Sequence, residues 1–149
     1  MSNHPYLRAY MAGAMVPTVF MLFVLTMFCV ARFVYHVPVP IERVIVFPMA
    51  IVPNLFGVWN MLYVALRSRR HLRIGLHGAI LPFVLAPLGF TLATSLGFLA
   101  TTPQGLVWFE ALRIPYLRLG IVFPAVVIVY YLVWKHLVGF LNQLLGIAE

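Results

Sequence analysis

The sequence predicts an all-α integral membrane protein, folded as a four-helix transmembrane bundle. Hydrophobic residues make up 64% of its 149 residues and charged residues only 9%. A soluble domain is about half apolar and about a quarter charged. The few charged residues also fall between the apolar runs or at their ends, and about 20 apolar residues suffice to cross a bilayer. We therefore interpret residues 1–149 as a single transmembrane domain.

Four apolar runs place the spans at about residues 12–31, 44–66, 78–100 and 116–136. The fourth run is short, because charged residues flank a segment of about 16 residues, about 24 Å of helix. Either Arg118 and Lys135 extend toward the membrane surfaces, or the helix continues past Lys135. Continuation is favoured because five tail residues share one helical face, which predicts an amphipathic C-terminal extension at the inner surface. These residues are Leu137, Phe140, Leu141, Leu144 and Leu145.

A basic loop between spans two and three sets the predicted orientation. It contains four arginines within seven residues, namely Arg67, Arg69, Arg70 and Arg73. Loops rich in Arg and Lys remain cytoplasmic, so we predict an N-in, C-in topology in a bacterial inner membrane. We expect these arginines to contact lipid headgroups. The roles of basic residues in topology and in lipid-headgroup contact account for the net charge of +7. The charge therefore does not indicate nucleic-acid binding.

The second outer loop predicts a short interfacial helix. Thr102 and Pro103 have the residue types of an N-cap and a first helical position, and Pro115 would end the helix. At helical spacing, Leu106, Phe109 and Leu112 would face lipid, and Glu110 would pair with Arg113.

A stripe of small residues runs along span three at spacings of three and four. It includes Gly75, Gly78, Ala86, Gly89, Ala93 and Gly97. Small residues let helix backbones approach closely in lipid, where the hydrophobic effect contributes little to helix association. The stripe therefore predicts a helix-packing face, either as the central seam of the bundle or as an interface between copies of the chain.

Span two carries the most polar helical face. Pro53, Asn54, Gly57 and Asn60 fall within an arc of about 120° at helical periodicity. Pro53 has no N–H, so the carbonyl of Met49 is free of its usual helical partner. Two amides, a glycine and a carbonyl on one face could line a small ligand-binding cavity. Alternatively, the asparagines form hydrogen bonds to neighbouring helices, and the sequence leaves both interpretations open.

The residues of the spans offer little reactive chemistry. The three acids, Glu42, Glu110 and Glu149, lie outside the spans, whereas proton-coupled transporters use carboxylates at membrane depth. The single Cys29 excludes an internal disulfide. A haem held by His77 and His136 is geometrically conceivable, but histidines at span boundaries are common. We predict no catalytic residues, no metal and no cofactor.

The sequence therefore favours a non-enzymatic membrane protein, which acts as an accessory subunit or as a homo-oligomeric packing module. Its expected partners are the lipid bilayer and either copies of itself or a larger membrane complex. An alternative is an oligomeric channel or carrier for a small neutral or anionic solute. A second alternative is a lipid- or quinone-interacting enzyme or redox anchor.

Overall fold

The computed structural model describes residues 4–37, 47–67, 72–108 and 112–147. Three long helices come first, and three short strands and a fourth long helix follow. The elements are α1 (Pro5–Phe33), α2 (Phe47–Arg67), α3 (Ile74–Ser95), β1 (Leu99–Thr102), β2 (Gly105–Trp108), β3 (Leu112–Pro115), α4 (Tyr116–Val133), a π-helical turn (Trp134–Val138) and α5 (Gly139–Leu144).

Four helices in the described ranges are long and apolar enough to cross a membrane. This confirms the predicted membrane class and the number of candidate spans. The fourth helical segment runs for 29 residues, Tyr116–Leu144, because α4, the π turn and α5 follow one another without a break. The helix thus continues past Lys135, as the apolar pattern of the tail favoured. The N-in, C-in orientation remains a prediction.

The chain forms two compact units. The first combines Met1–Leu72 with His136–Glu149, and the second is Arg73–Lys135. In the first unit α1 packs along α2, and α5 contacts α1. In the second unit α3 packs against α4, and the strands adjoin the ends of those two helices.

Helix α3 ends at Ser95, five residues earlier than the span predicted to reach residue 100. Gly97 adopts φ +73°, a left-handed conformation that glycine reaches without steric cost. The Phe98 N–H donates to the Ala93 carbonyl at 2.8 Å, and the Gly97 N–H donates to Thr94 at 3.1 Å. This pair of bonds is a Schellman motif. Gly97 therefore ends the helix, and its prediction as part of a helical stripe was wrong.

The loop predicted as a helix forms a three-stranded antiparallel sheet in the order β1-β2-β3, so the helical prediction was wrong. A two-residue turn at Pro103 and Gln104 joins β1 to β2, with Thr102 paired to Gly105. The Thr102 hydroxyl donates to the Gly105 carbonyl at 2.7 Å. A threonine followed by proline suits a turn as well as a helix start, which explains the error. The expected Glu110–Arg113 pair involves Glu110, which lies outside the described residues.

Gly105 makes the sheet possible. Its φ is +155°, and a Cβ at this position would collide with the Ile114 carbonyl oxygen on the neighbouring strand. The close approach of β2 to β3 therefore requires glycine. The Tyr116 hydroxyl, at the start of α4, donates to the Thr102 carbonyl at 2.8 Å and ties the turn of the hairpin to the helix.

The C-terminal extension is helical, as predicted, but its apolar face points outward. Leu137, Phe140 and Leu144 are 51%, 59% and 69% exposed, whereas Gly139 and Asn142 are buried. In water this arrangement would be unfavourable, because apolar surface would remain hydrated. Apolar side chains outside and an amide inside are compatible with a helix that lies against lipid.

Candidate functional site

Asn60 is the most buried polar residue of the α2 face, with no exposed surface. Its side-chain N–H₂ group donates to the Ala9 carbonyl on α1 and to the Asn142 Oδ1 on α5, both at 2.8 Å. The Asn142 amide donates back to the Asn60 Oδ1 at 3.2 Å. Both donors of Asn60 are therefore engaged by other helices of the same unit. This reciprocal amide pair is the polar centre of the first unit.

The α1–α2 seam beside this pair is close because of glycines on both helices. A Cβ on Gly13 would lie 2.9 Å from the Asn60 Cβ, and it would also meet the Phe56 carbonyl oxygen. The ring of Tyr10 covers Gly57, where a Cβ would lie 2.6 Å from Tyr10 Cε2. The missing side chain of Gly57 thus leaves space for the Tyr10 ring, and small residues allow such close packing between membrane helices.

Asn54 lies at the exposed edge of the same face. Its amide N–H₂ donates to the Ala50 carbonyl at 2.7 Å, one turn earlier in its own helix. Its Oδ1 accepts a short hydrogen bond from the Tyr10 hydroxyl. Pro53 is half-buried. Of the four candidate ligand-binding residues, the structure thus engages Asn54, Gly57 and Asn60 in contacts within the protein, and solute binding at this face remains a prediction.

The first half of the α3 stripe receives aromatic side chains. A Cβ on Gly75 would lie 2.8 Å from Tyr131 Cε2. A Cβ on Gly78 would overlap the base of the Trp134 side chain. The Trp134 ring also meets His77 edge-on, with the ring centroids 5.7 Å apart. His77 and Trp134 are both buried, so His77 takes part in the core of the second unit.

The second half of the stripe is mostly exposed, unlike the first. Ala86 and Gly89 are exposed, and a Cβ on Gly89 would meet no described atom within 4 Å beyond the neighbouring backbone of its own helix. Ala93 is buried near the C-terminal end of α3. The stripe thus has one end filled by side chains of α4 and the π turn, and a central stretch that no described side chain fills.

The two described arginines of the basic loop lie at the ends of helices. Arg67 is the last residue of α2 and Arg73 directly precedes α3, while Arg69 and Arg70 lie outside the described residues. Arg8 on α1 donates to the Leu145 carbonyl at 3.4 Å, where a cation favourably meets the C-terminal end of α5. Binding of lipid headgroups by these arginines remains a prediction.

Asn142 and Trp134 are two contact residues that sequence reasoning did not single out. Tyr10 and Tyr131 are two more. Asn142 had one available signal, since an amide that interrupts an otherwise apolar helix in lipid usually has a polar partner. Trp134 is 56 residues from Gly78 in the chain, so the local sequence gives no indication of their contact.

Comparisons of the chain with protein-family models, curated proteins and solved structures return no match.

Proposed function

We propose that this chain is a non-enzymatic membrane module, which acts by packing the exposed centre of α3 against a second membrane helix. That helix belongs either to a copy of this chain or to a larger membrane complex. The observation that carries the proposal is the difference between the two halves of the α3 stripe. Gly75 receives the aromatic ring of Tyr131 on α4, and Gly78 receives Trp134 of the π turn. A Cβ on Gly89, in contrast, would meet no described atom beyond its own helical turn within 4 Å.

The physical reason lies in how helices associate in lipid. Exposed leucine gains little from contact with another helix, because lipid chains are equally apolar. Exposed glycine and alanine are different, since they allow two backbones to approach and gain van der Waals contact. The filled half of the stripe supports this reasoning, because its glycines already accept side chains from a neighbouring helix. Ala86 and Gly89 supply a second surface of the same kind, one turn of helix apart.

The polar face of α2 supports the packing function over a solute pathway. The two N–H groups of the Asn60 amide are donated to Ala9 and Asn142. A solute would have to displace these buried bonds before Asn60 could bind it. The amide pair thus serves association between helices within this chain, which is consistent with a module specialised for packing.

The experiment is a matched pair of glycine substitutions in the full-length protein. Gly89→Leu fills the open part of the stripe, and Gly120→Leu makes the same change on α4, where a Cβ would also meet no described atom within 4 Å. Each variant is labelled with donor and acceptor fluorophores and reconstituted in lipid vesicles. Energy transfer at increasing protein-to-lipid ratios then reports self-association, and native mass measurement of protein extracted with its lipids reports other partners.

We expect an assembly heavier than the 16.9 kDa monomer. Gly89→Leu should weaken it by at least about tenfold, equivalent to about 1.4 kcal/mol, whereas Gly120→Leu should leave it nearly unchanged. A wild-type chain that remains a monomer without a partner would contradict the proposal, as would equal effects of the two substitutions. Solute flux across vesicles that is lost in Asn54→Leu would favour the channel alternative instead.

A further inference from the structure

One face of the three-stranded sheet is mostly apolar, and Arg113 lies on the other face. Because strand residues alternate between faces and paired residues share a face, the register assigns Leu99 and Trp108 to one face, together with Thr101, Leu106 and Ile114. Leu99 is buried within the protein, whereas Trp108 is exposed and Leu106 and Ile114 are partly exposed. The opposite face carries Arg113 and Val107, which pair across β2 and β3.

The chain holds this sheet close to the membrane boundary. Only three residues separate the end of α3 from the start of β1, and β3 leads directly into α4. At about 3.5 Å per residue, β1 begins within about 14 Å of the end of a membrane-spanning helix. The Tyr116 hydroxyl bond to the Thr102 carbonyl holds the hairpin turn at the first residue of α4.

The neighbouring helical surface continues the apolar character of the sheet. Tyr116 and Leu117 start α4 and are exposed. Tyr116 directly follows the last residue of β3. Tryptophan and tyrosine concentrate at membrane–water interfaces, because their rings are apolar with one polar edge. Arginine on the far face has a long stem that can reach headgroup phosphates.

We infer that the sheet is an interfacial lipid-binding surface, with Leu106, Trp108 and Ile114 inserted at the boundary between headgroups and acyl chains. Arg113 and Val107 face the headgroups and water. The occupant of the apolar face is thus lipid, and the inference does not depend on the packing proposal for α3. It also differs from an interfacial helix, which would place residues three or four apart, rather than two apart, in contact with lipid.

The test uses spin labels on single cysteines in the full chain, in a Cys29→Ser background. The labelled substitutions are Leu106→Cys, Val107→Cys, Trp108→Cys, Arg113→Cys and Ile114→Cys, with Gln104→Cys as the water reference and Leu117→Cys as the lipid reference. The protein is reconstituted in vesicles of phosphatidylethanolamine and phosphatidylglycerol. Collision rates with apolar oxygen and with a polar nickel chelate then report the surroundings of each label.

We expect the oxygen-to-nickel ratio to alternate with a period of two residues. Positions 106, 108 and 114 should resemble Leu117→Cys, and positions 107 and 113 should resemble Gln104→Cys. Uniformly aqueous labels, labels shielded from both reagents, or a period of three to four residues would overturn the inference.

A second measurement avoids labels, in case a cysteine disturbs the sheet. Lipids brominated near the headgroup quench tryptophan fluorescence by contact. Comparison of the wild-type protein with Trp108→Phe isolates the contribution of Trp108, because Trp59 and Trp134 remain in both. Strong shallow quenching that disappears in Trp108→Phe is expected, and equal quenching of the two proteins would overturn the inference.

Discussion

Replacement of Asn60 by leucine tests whether the buried amide pair holds the first unit together. Asn60 donates to the Ala9 carbonyl and to Asn142, and it accepts a hydrogen bond from Asn142. The substitution removes all three bonds and leaves the Asn142 amide facing leucine, with Asn142 only 2% exposed. The Ala9 carbonyl keeps its hydrogen bond within α1. The Asn142 amide therefore loses more of its hydrogen bonding than the Ala9 carbonyl does.

The expected loss in the free energy of unfolding follows from the number of hydrogen bonds that the substitution removes. Side-chain hydrogen bonds between membrane helices contribute about 0.6 kcal/mol on average and at most about 1.7 kcal/mol. A buried polar group left without a partner costs about 1–3 kcal/mol. We therefore expect Asn60→Leu to lower the free energy of unfolding by about 2 kcal/mol, with a similar loss for Asn142→Leu. The double substitution leaves neither amide unpaired, so the coupling energy should be about 1 kcal/mol.

The assay is reversible unfolding in mixed micelles, with helicity followed by circular dichroism as the fraction of denaturing detergent rises. Gln143→Leu serves as the control, since it removes an exposed amide one residue from Asn142. That control should change the free energy of unfolding by less than about 0.5 kcal/mol. A coupling energy near zero, or single substitutions no more harmful than Gln143→Leu, would refute this account of the amide pair.

Two glycine positions give further predictions, each measured in the same unfolding assay. Gly78→Ala should destabilise by at least about 2 kcal/mol, because the added Cβ overlaps the Trp134 side chain and overpacking commonly costs about 1–3 kcal/mol. Gly97→Ala should cost about 1–2 kcal/mol, because alanine resists the left-handed conformation that ends α3. Gly120→Ala is the control for both, and it should be neutral or slightly stabilising, since glycine is a poor helix former. An effect of Gly120→Ala equal to that of Gly78→Ala would contradict the packing argument, and a Gly97→Ala protein as stable as the wild type would contradict the conformational one.

The amino-acid sequence by itself determined the class of the protein and the approximate positions of its spans. Apolar runs of span length have few stable solutions outside a bilayer, since each backbone polar group must be paired within the segment. The continuation of the last helix beyond Lys135 was also predictable, because Leu137 and Leu144 follow helical periodicity. Local chemistry was less decisive near Thr102 and Pro103, where the same residue types begin helices and form turns.

The tertiary structure decided which residues meet. Asn60 and Asn142 are 82 positions apart, and nothing in the local pattern of α2 distinguished an amide that binds a solute from one that binds another helix. Gly78 and Gly89 look alike in the stripe, yet of these two only Gly78 receives a side chain, that of Trp134 in the π turn. In lipid the hydrophobic effect does not sort faces into inside and outside, so contact geometry and hydrogen bonds decide the packing. For that reason the sequence indicated the four spans, whereas the tertiary structure was needed to identify the stretch of α3 that no described side chain fills.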